Sequence, residues 1–185
     1  MSLILASASP RRRELLSLIT DQFTVIPAKG EETADKTLPP NLLVQELAKQ
    51  KAAEVAATHP QDTVIGADTL VFFGAEIMGK PTDQNDAKRM LELLSGNTHT
   101  VITAVAIAQD GNVTKVFAEE TKVEFFPLTD REITSYIATG EPMDKAGAYV
   151  IQDKGALLVK GITGDYYNVM GLPVGRLYRQ LKALL

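Results

Sequence analysis

Apolar residues and polar breaks divide the chain into alternating strands and helices. The apolar run at residues 3–5 predicts a buried strand, and a helix opens after it with Ser9 as N-cap and Pro10 in its first position. A second strand is predicted over residues 23–26, and a long helix over residues 42–57. Strands that alternate with helices in this way favour an α/β fold.

The longest apolar strand pattern covers residues 63–73 and is typical of a central strand, because it is apolar on both faces. Strands over residues 101–108 and 113–126 are joined at Asp110-Gly111-Asn112, which predicts a hairpin. Further helices are predicted after Asp83, over residues 130–139 with Thr129 as cap, and over residues 172–185. The pattern predicts one domain over residues 1–185, with helices flanking a mixed, strongly twisted sheet.

Composition narrows the class of protein. A formal net charge of −4 disfavours nucleic acid and anionic membranes as partners. No apolar run approaches the roughly 20 residues of a membrane span, and the N-terminus has no signal-peptide layout. The chain has no cysteine, which excludes thiol chemistry and fits a reducing compartment. A cytoplasmic location is therefore the expectation.

Positive charge is concentrated in the first turn of the first helix, at Arg11, Arg12 and Arg13. A helix N-terminus already carries roughly half a positive charge, so these arginines add repulsion there. A phosphate bound at the helix start would offset this repulsion. The alternative to a phosphate site is that the arginine side chains simply extend into solvent. Helical spacing places Arg11 and Arg12 on the side of the predicted core and Arg13 on the solvent side.

Three more charges interrupt apolar or rigid stretches. Lys51 lies in the apolar stripe of the long helix, where it either extends to the rim or points into a site. Asp68 lies within the buried strand, where a carboxylate costs several kcal/mol unless it binds a metal, a cation or a donor network. Gly66 and Ala67 before it leave room beside the carboxylate. Lys80 lies in a constrained turn between glycine and proline.

The arginines and lysines, set against a few carboxylates, suit a polyphosphate site with a divalent metal. The common nucleotide-binding loops are excluded, since neither a Walker A nor a G-x-G-x-x-G pattern is present. Polar stretches over residues 141–155 and 164–168 are candidate site loops. His99 has no second His or Cys at ligand spacing, so it is predicted to be structural.

Several different short motifs follow one another in a specific order along the chain. They are Ser7-Ala8-Ser9-Pro10-Arg11-Arg12, Glu14-Leu15-Leu16, Leu47-Ala48, Lys51-Ala52, Gly66-Ala67-Asp68-Thr69, Gly79-Lys80-Pro81, Leu94-Ser95-Gly96 with His99, Asp144-Lys145-Ala146-Gly147-Ala148-Tyr149 with Gln152, and Val169-Met170-Gly171-Leu172-Pro173. No single motif is decisive, but the ordered set resembles the Maf family over nearly the whole chain.

The resemblance implies an α/β fold of the Maf and ITPase type with a nucleotide cleft. It also implies a nucleoside triphosphate pyrophosphatase that releases a nucleoside monophosphate and pyrophosphate with a divalent cation, Mg²⁺ or Mn²⁺. Asp68 matches the family's proton acceptor. On chemical grounds its carboxylate also suits a metal ligand together with Glu32, so Asp68 is expected to act as base, as metal ligand or as both. Positions associated with substrate choice are matched by Arg12, Thr69 and Gln152. Other residues of the cleft are matched by Ser7, Arg11, Glu32, Lys51 and Lys80.

The arginine pair, the Gly-Ala-Asp-Thr motif and Gln152 resemble the dTTP/UTP subfamily rather than the 7-methyl-GTP subfamily. The sequence departs from the usual pattern at Val150 and Asp153, where relatives often have glycine. Alternative functions are a pyrophosphatase for 7-methyl-GTP or other modified nucleotides, and a non-catalytic nucleotide-binding regulator of cell division. A homodimer is compatible with the sequence.

Overall fold

The structure, a computed structural model, describes residues 2–31 and 33–183. Its strands and helices follow in the order β1 (Leu3–Leu5), α1 (Pro10–Ser17), β2 (Thr24–Val25), α2 (Pro40–Thr58), β3 (Thr63–Phe73), β4 (Glu76–Met78), α3 (Gln84–Leu94), β5 (Thr98–Gln109), β6 (Asn112–Phe125), α4 (Asp130–Ile137), β7 (Val159–Thr163), α5 (Tyr166–Met170) and α6 (Val174–Lys182). Short 3-10 helices cover Glu141–Asp144, Ala146–Ala148 and Asp153–Leu157. None of the described helices has the length and apolar character needed to cross a bilayer.

The strands are hydrogen-bonded in the order β2-β1-β3-β5-β6-β7, and β4 pairs with β3. β1 runs parallel to β2 and β3, whereas β4 is antiparallel to β3 and β7 is antiparallel to β6. The predicted α/β fold with a mixed sheet is confirmed. The predicted hairpin is also confirmed, because β5 and β6 are joined by Asp110 and Gly111, both with positive φ (50° and 74°).

The chain divides into two compact units. The first comprises Met1–Thr69, Thr103–Glu119 and Gly171–Leu185, and the second comprises Leu70–Ile102 and Glu120–Met170. The sequence predicts one domain over residues 1–185. Strands β3, β5 and β6 have residues in both.

In the first unit, α2 packs closely on β3. A Cβ atom on Gly66 would lie 2.5 Å from the backbone nitrogen of Ala52 and 2.6 Å from the backbone oxygen of Ala48, closer than real Cβ atoms come. Only glycine therefore fits at position 66. The backbone of α2 takes up the space that the missing side chain leaves at Gly66.

The second unit has a core built from α3, α4, the loop that follows α4, and the parts of β3, β4, β5 and β6 in this unit. Its fully buried members include Met78, Leu91, Leu94, Val123 and Ala148. The predicted N-caps of both helices are confirmed, since Asp83 accepts from the backbone N–H of Asp86 and Thr129 forms a capping box with Glu132.

β7 and α5 of the second unit are absent from the predictions. β7 has the sequence V-K-G-I-T, in which glycine and lysine interrupt the apolar alternation that signals a strand. α5 has only five residues and begins within the polar stretch over residues 164–168 that is predicted as a loop. In the first unit the closing helix is shorter than predicted, and its predicted last residues lie outside the described part of the chain.

Candidate functional site

Strand order in the first unit reverses beside β1. The chain passes from β1 to β2 on one side and then crosses back to β3 on the other. In parallel α/β sheets, ligands bind beyond the carboxyl ends of the strands at such a reversal. β1 ends at Leu5, opposite Ile65, whereas β3 continues to Phe73. Asp68 and Thr69 therefore lie on the part of β3 that extends beyond β1.

Lys51 and Asp68 form a hydrogen-bonded ion pair between Nζ and Oδ1. The side chains are 20% and 9% exposed, so the pair is largely withdrawn from solvent. The close packing of α2 on β3 explains the ion pair. The packing occurs at Gly66, two residues before Asp68, and it holds Lys51 of α2 beside the strand. Of the two alternatives for Lys51, the structure selects the one in which it points into the candidate site.

Arg12 is held by a fork of three hydrogen bonds. Its Nε donates to the backbone oxygen of Gly171 at 2.9 Å, and its Nη2 donates to Oγ1 of Thr69 at 2.9 Å. Its Nη1 donates to Oγ of Ser7 at 3.3 Å. The guanidinium has fixed donor directions, so these partners define its orientation. Arg12 therefore does not extend freely into solvent, whereas Arg13 is exposed as predicted.

The start of α1 has the predicted cap. Oγ of Ser9 accepts from the backbone N–H of Arg12 at 3.4 Å, and the backbone N–H of Ser9 donates to Oγ of Ser7 at 3.3 Å. No acidic residue lies in the first turn. Arg11, at the second helical position, is half-buried. The helix start keeps its positive potential, as an anion site requires.

Asp68 and Thr69 point to opposite faces of β3, because successive residues in a strand alternate. Asp68 contacts Lys51 from α2, and Thr69 contacts Arg12 from α1. Thr69 is also hydrogen-bonded to Thr103 of β5, with 2.9 Å between the two hydroxyl oxygens. Thr103 is fully buried and absent from the predicted site. One signal was available, since Thr103 is polar within an apolar strand.

α2 also holds the segment before position 31. Glu54 accepts from the backbone N–H groups of Lys29 at 2.7 Å and Gly30 at 2.9 Å. These two bonds hold the pKa of Glu54 below its usual range. Glu32, predicted as a cleft residue and metal ligand, lies outside the described residues.

Lys80 belongs to the second unit, where it is exposed in the turn after β4. The turn is fixed by its backbone, since the oxygen of Gly79 accepts from the N–H of Gly147 at 3.1 Å. Gly147 has a φ of 72° and packs against Val71, where an added Cβ would lie 3.1 Å from Cγ1. The constrained turn predicted around Lys80 is thus confirmed.

Gln152 also lies in the second unit, half-buried and directly before a 3-10 helix. Its loop is fixed by two contacts. The backbone N–H of Val150 donates to the hydroxyl of Tyr136 at 3.1 Å, and a Cβ on Gly155 would lie only 1.9 Å from the Val150 oxygen. Burial raises the pKa of Tyr136 to about 12, so the hydroxyl stays protonated at neutral pH.

The two departures from the family pattern flank Gln152. Asp153 has a φ of 52°, the left-handed region in which glycine is favoured and aspartate is tolerated. A glycine at this position in relatives would adopt the same backbone at lower cost. Val150 is buried and uses its N–H in the contact with Tyr136.

The donors for a metal can be tested against the described residues. Within residues 2–31 and 33–183, no cluster of three or more His, Cys, Asp or Glu side chains could hold an ion. Mg²⁺ is commonly bound by one or two carboxylates together with water and substrate phosphates. Asp68, a buried carboxylate at the strand reversal, fits that use. His99 instead lies in the core, edge-on to Phe125 and Tyr149.

Comparison with solved structures supports the fold. The Ham1 protein of Staphylococcus aureus superposes with a TM-score of 0.55 at 14% identity, with both chains fully covered. The family is shown by sequence, because the model for Maf-like proteins matches residues 2–184. The chain belongs to the Maf family.

Two relatives carry the same description, dTTP/UTP pyrophosphatase. One, from Bacillus cytotoxicus, is 52% identical over 179 residues, which cover 97% of this chain and 93% of the relative. The other, from Halalkalibacterium halodurans, is 52% identical over 180 residues, which cover 97% and 94%.

Proposed function

We propose that this protein is a nucleoside triphosphate pyrophosphatase that prefers dTTP and UTP. The products are the nucleoside monophosphate and pyrophosphate. The observation that carries the proposal is the pair of contacts made by successive residues of β3 at the strand reversal of the first unit, Asp68 with Lys51 and Thr69 with Arg12. The names and the 52% identity of the two relatives supply the reaction and the bases.

Asp68 is assigned the proton that the attacking water loses. The water oxygen bonds to the α-phosphorus, the bond from that phosphorus to the α–β bridging oxygen breaks, and pyrophosphate leaves with that oxygen. Phosphoryl transfer depends on positioning and charge stabilisation more than on covalent chemistry. Lys51 contributes to the positioning, because its ammonium is hydrogen-bonded to Oδ1 of Asp68 and fixes the orientation of that carboxylate.

Binding of the triphosphate is assigned to positively charged groups that are not part of the hydrophobic core. The start of α1 offers the positive end of the helix dipole, and Arg11 adds a charge at the same helix end. Lys80 is assigned to the phosphates as well, from the second unit, on the strength of the family resemblance and its fixed turn.

Asp68 would also hold a divalent cation, together with phosphate oxygens and with Glu32 as the second assigned ligand. When bound, such a cation neutralises phosphate charge and lowers the pKa of a bound water. An ionised carboxylate has two oxygens that accept at several positions, so one side chain can accept from the ammonium of Lys51 and also bind a cation.

Base choice is assigned to Arg12, Thr69 and Gln152. A uracil or thymine edge has two carbonyl acceptors and one N–H donor, and the amide of Gln152 has groups of both kinds. Thr69 is fixed by Arg12 and so offers its hydroxyl in one place. Fixed polar groups give base choice because a mismatched base leaves one of them without a hydrogen bond.

A panel assay tests the proposal. The purified chain is incubated with dTTP, UTP, CTP, GTP, ATP or 7-methyl-GTP, with Mg²⁺ or Mn²⁺ or with a chelator, and released pyrophosphate is measured. We expect dTTP and UTP to give the highest kcat/KM and the chelator to abolish turnover.

The remaining outcomes separate the alternatives. A preference for 7-methyl-GTP would move the protein to the other subfamily, and release of orthophosphate instead of pyrophosphate would refute the reaction. Tight nucleotide binding without turnover would support the non-catalytic regulator. The cytoplasmic location and the homodimer stay predictions.

A further inference from the structure

Thr103 occupies an unusual position in β5. It is fully buried among the apolar residues of the strand, including Ala104 and Val105. A buried hydroxyl is costly unless it is hydrogen-bonded, and Oγ1 of Thr103 lies 2.9 Å from Oγ1 of Thr69. Thr69 in turn accepts from Nη2 of Arg12 at 2.9 Å. A polar chain thus leads from the interior of the sheet to two residues assigned to base choice.

The hydrogen-bonding capacity of Thr69 is small enough to count. A threonine hydroxyl has one O–H donor and two acceptor lone pairs. Arg12 has no acceptor, so it uses one of the lone pairs on Thr69. If Thr103 donates to Thr69, the second lone pair is used and the Thr69 O–H remains for a ligand. If Thr69 donates to Thr103, a lone pair remains instead.

We propose that Thr103 is a positioning residue that determines which group, donor or acceptor, Thr69 presents to the nucleotide base. This inference rests on the proposed function, in which Thr69 contacts the base. Thr103 itself is buried and acts on the base through its hydrogen bond with Thr69.

The relative activity on UTP and CTP depends on whether Thr69 presents a donor or an acceptor to the base. Uracil has a carbonyl acceptor at position 4 and an N–H at position 3, whereas cytosine has an amino donor and an unprotonated nitrogen at those positions. The two bases are otherwise alike in size and shape. A change in what Thr69 presents therefore changes the UTP to CTP ratio of kcat/KM, while loss of general packing affects both substrates alike.

Thr103→Val is the main test, because valine replaces the hydroxyl by a methyl group of similar size. We expect the UTP to CTP ratio of kcat/KM to change by at least about fivefold, the effect of one net hydrogen bond. Thr103→Ser retains the hydroxyl and is expected to keep the ratio within about twofold of the wild type. Thr63→Val is the matched control, since Thr63 is a buried threonine of β3 outside the polar chain.

A double-mutant cycle with Thr69→Val tests the route of the effect. If Thr103 acts through Thr69, adding Thr103→Val to Thr69→Val causes no further change in the ratio. Independent, additive changes would overturn the inference. So would a Thr103→Val variant with a lower Tm and an unchanged ratio, since that result defines a purely structural residue.

The wild-type ratio separates this inference from the proposed function. A wild type without preference for dTTP and UTP refutes the proposed base choice, and the inference fails with it. A wild type with that preference, combined with an unchanged ratio in Thr103→Val, refutes the inference alone.

Discussion

The two units hold their candidate site residues in different ways. In the first unit the site side chains bind one another, as in the Lys51–Asp68 pair and the Arg12–Thr69 contact. In the second unit the supporting contacts are made by the backbone around the site residue, as in the bond from Gly147 to Gly79 before Lys80. Regular strands and helices carry the first set, and turns and 3-10 helices carry the second.

For the Lys51–Asp68 pair and Gln152 the difference corresponds to two chemical tasks. Arg12 and Thr69, in contrast, are assigned to the base from rigid elements, and Lys80 is assigned to phosphate from a loop. Charges that act on a reacting phosphate must be fixed before substrate binds, and mutual hydrogen bonds between side chains on rigid elements fix them. A residue that recognises a base can lie on a loop, because loops accept sequence changes while their backbone contacts hold the path. The Asp153 position shows this, since aspartate there adopts the left-handed conformation that glycine favours.

The largest effect is expected for Asp68→Asn. Loss of the proton acceptor should lower kcat by at least about 10²-fold for every nucleotide. The measurement is steady-state pyrophosphate release, with thermal unfolding to establish that the variant is folded. If a folded variant keeps more than a tenth of wild-type activity, Asp68 is not the base and the contrast between the units loses its basis.

Two glycine substitutions test the two kinds of support. Gly66→Ala places a Cβ against the backbone of α2, and Gly155→Ala places one against the backbone oxygen of Val150. Each should destabilise the protein by about 3 kcal/mol in urea unfolding, because neither backbone can move freely. Gly175→Ala and Gly161→Ala are matched controls in the two units, with nothing within 4 Å of the added atom.

Gly66→Ala and Gly155→Ala should also differ in activity assays, because one affects a residue assigned to catalysis and the other a residue assigned to base choice. Gly66→Ala displaces the helix that carries Lys51, so kcat should fall for all nucleotides without a change in their ranking. Gly155→Ala disturbs the loop of Gln152, so the ranking itself should change. A uniform loss in both variants would mean that the loop does not recognise the base.

A pH effect on stability of about 2 kcal/mol is expected from His99 in the second unit. Burial lowers the pKa of His99 to about 4 from 6.5. Between these values the unfolded chain binds a proton that the folded chain does not, so stability is complete above about pH 6.5 and is lost as pH falls toward 4. Between pH 7 and pH 5 the loss should be about 2 kcal/mol.

His99→Gln is the comparison for the pH effect, because glutamine does not titrate and can still contact the hydroxyl of Tyr149. Urea unfolding of both proteins from pH 7 to pH 5 should show a shallower loss in the variant. Equal slopes would show that other groups cause the acid sensitivity.

Prediction from the sequence succeeded for features that are determined by residues close together in the chain. The cap at Ser9, the turn at Asp110 and the burial of Asp68 follow from local rules, and the structure confirms each. Thr103 was missed because a single polar residue in an apolar strand does not reveal its partner on a neighbouring strand. The partner of Lys51 was missed for the same reason, since the contact depends on how α2 packs at Gly66.

The smallest effect is expected for Gln152→Ala, and it concerns substrate ranking alone. Gln152 is half-buried, so water can replace part of the hydrogen bond that alanine removes. The loss should therefore be near the lower end of the usual range, about 1 kcal/mol, or a fivefold lower preference for UTP over CTP. Lys80→Ala is the matched control on the same unit, since a phosphate contact should weaken kcat/KM for all nucleotides to a similar degree. The kcat/KM panel distinguishes them, because a changed ranking in Lys80→Ala and an unchanged one in Gln152→Ala would reverse the roles assigned to the two residues.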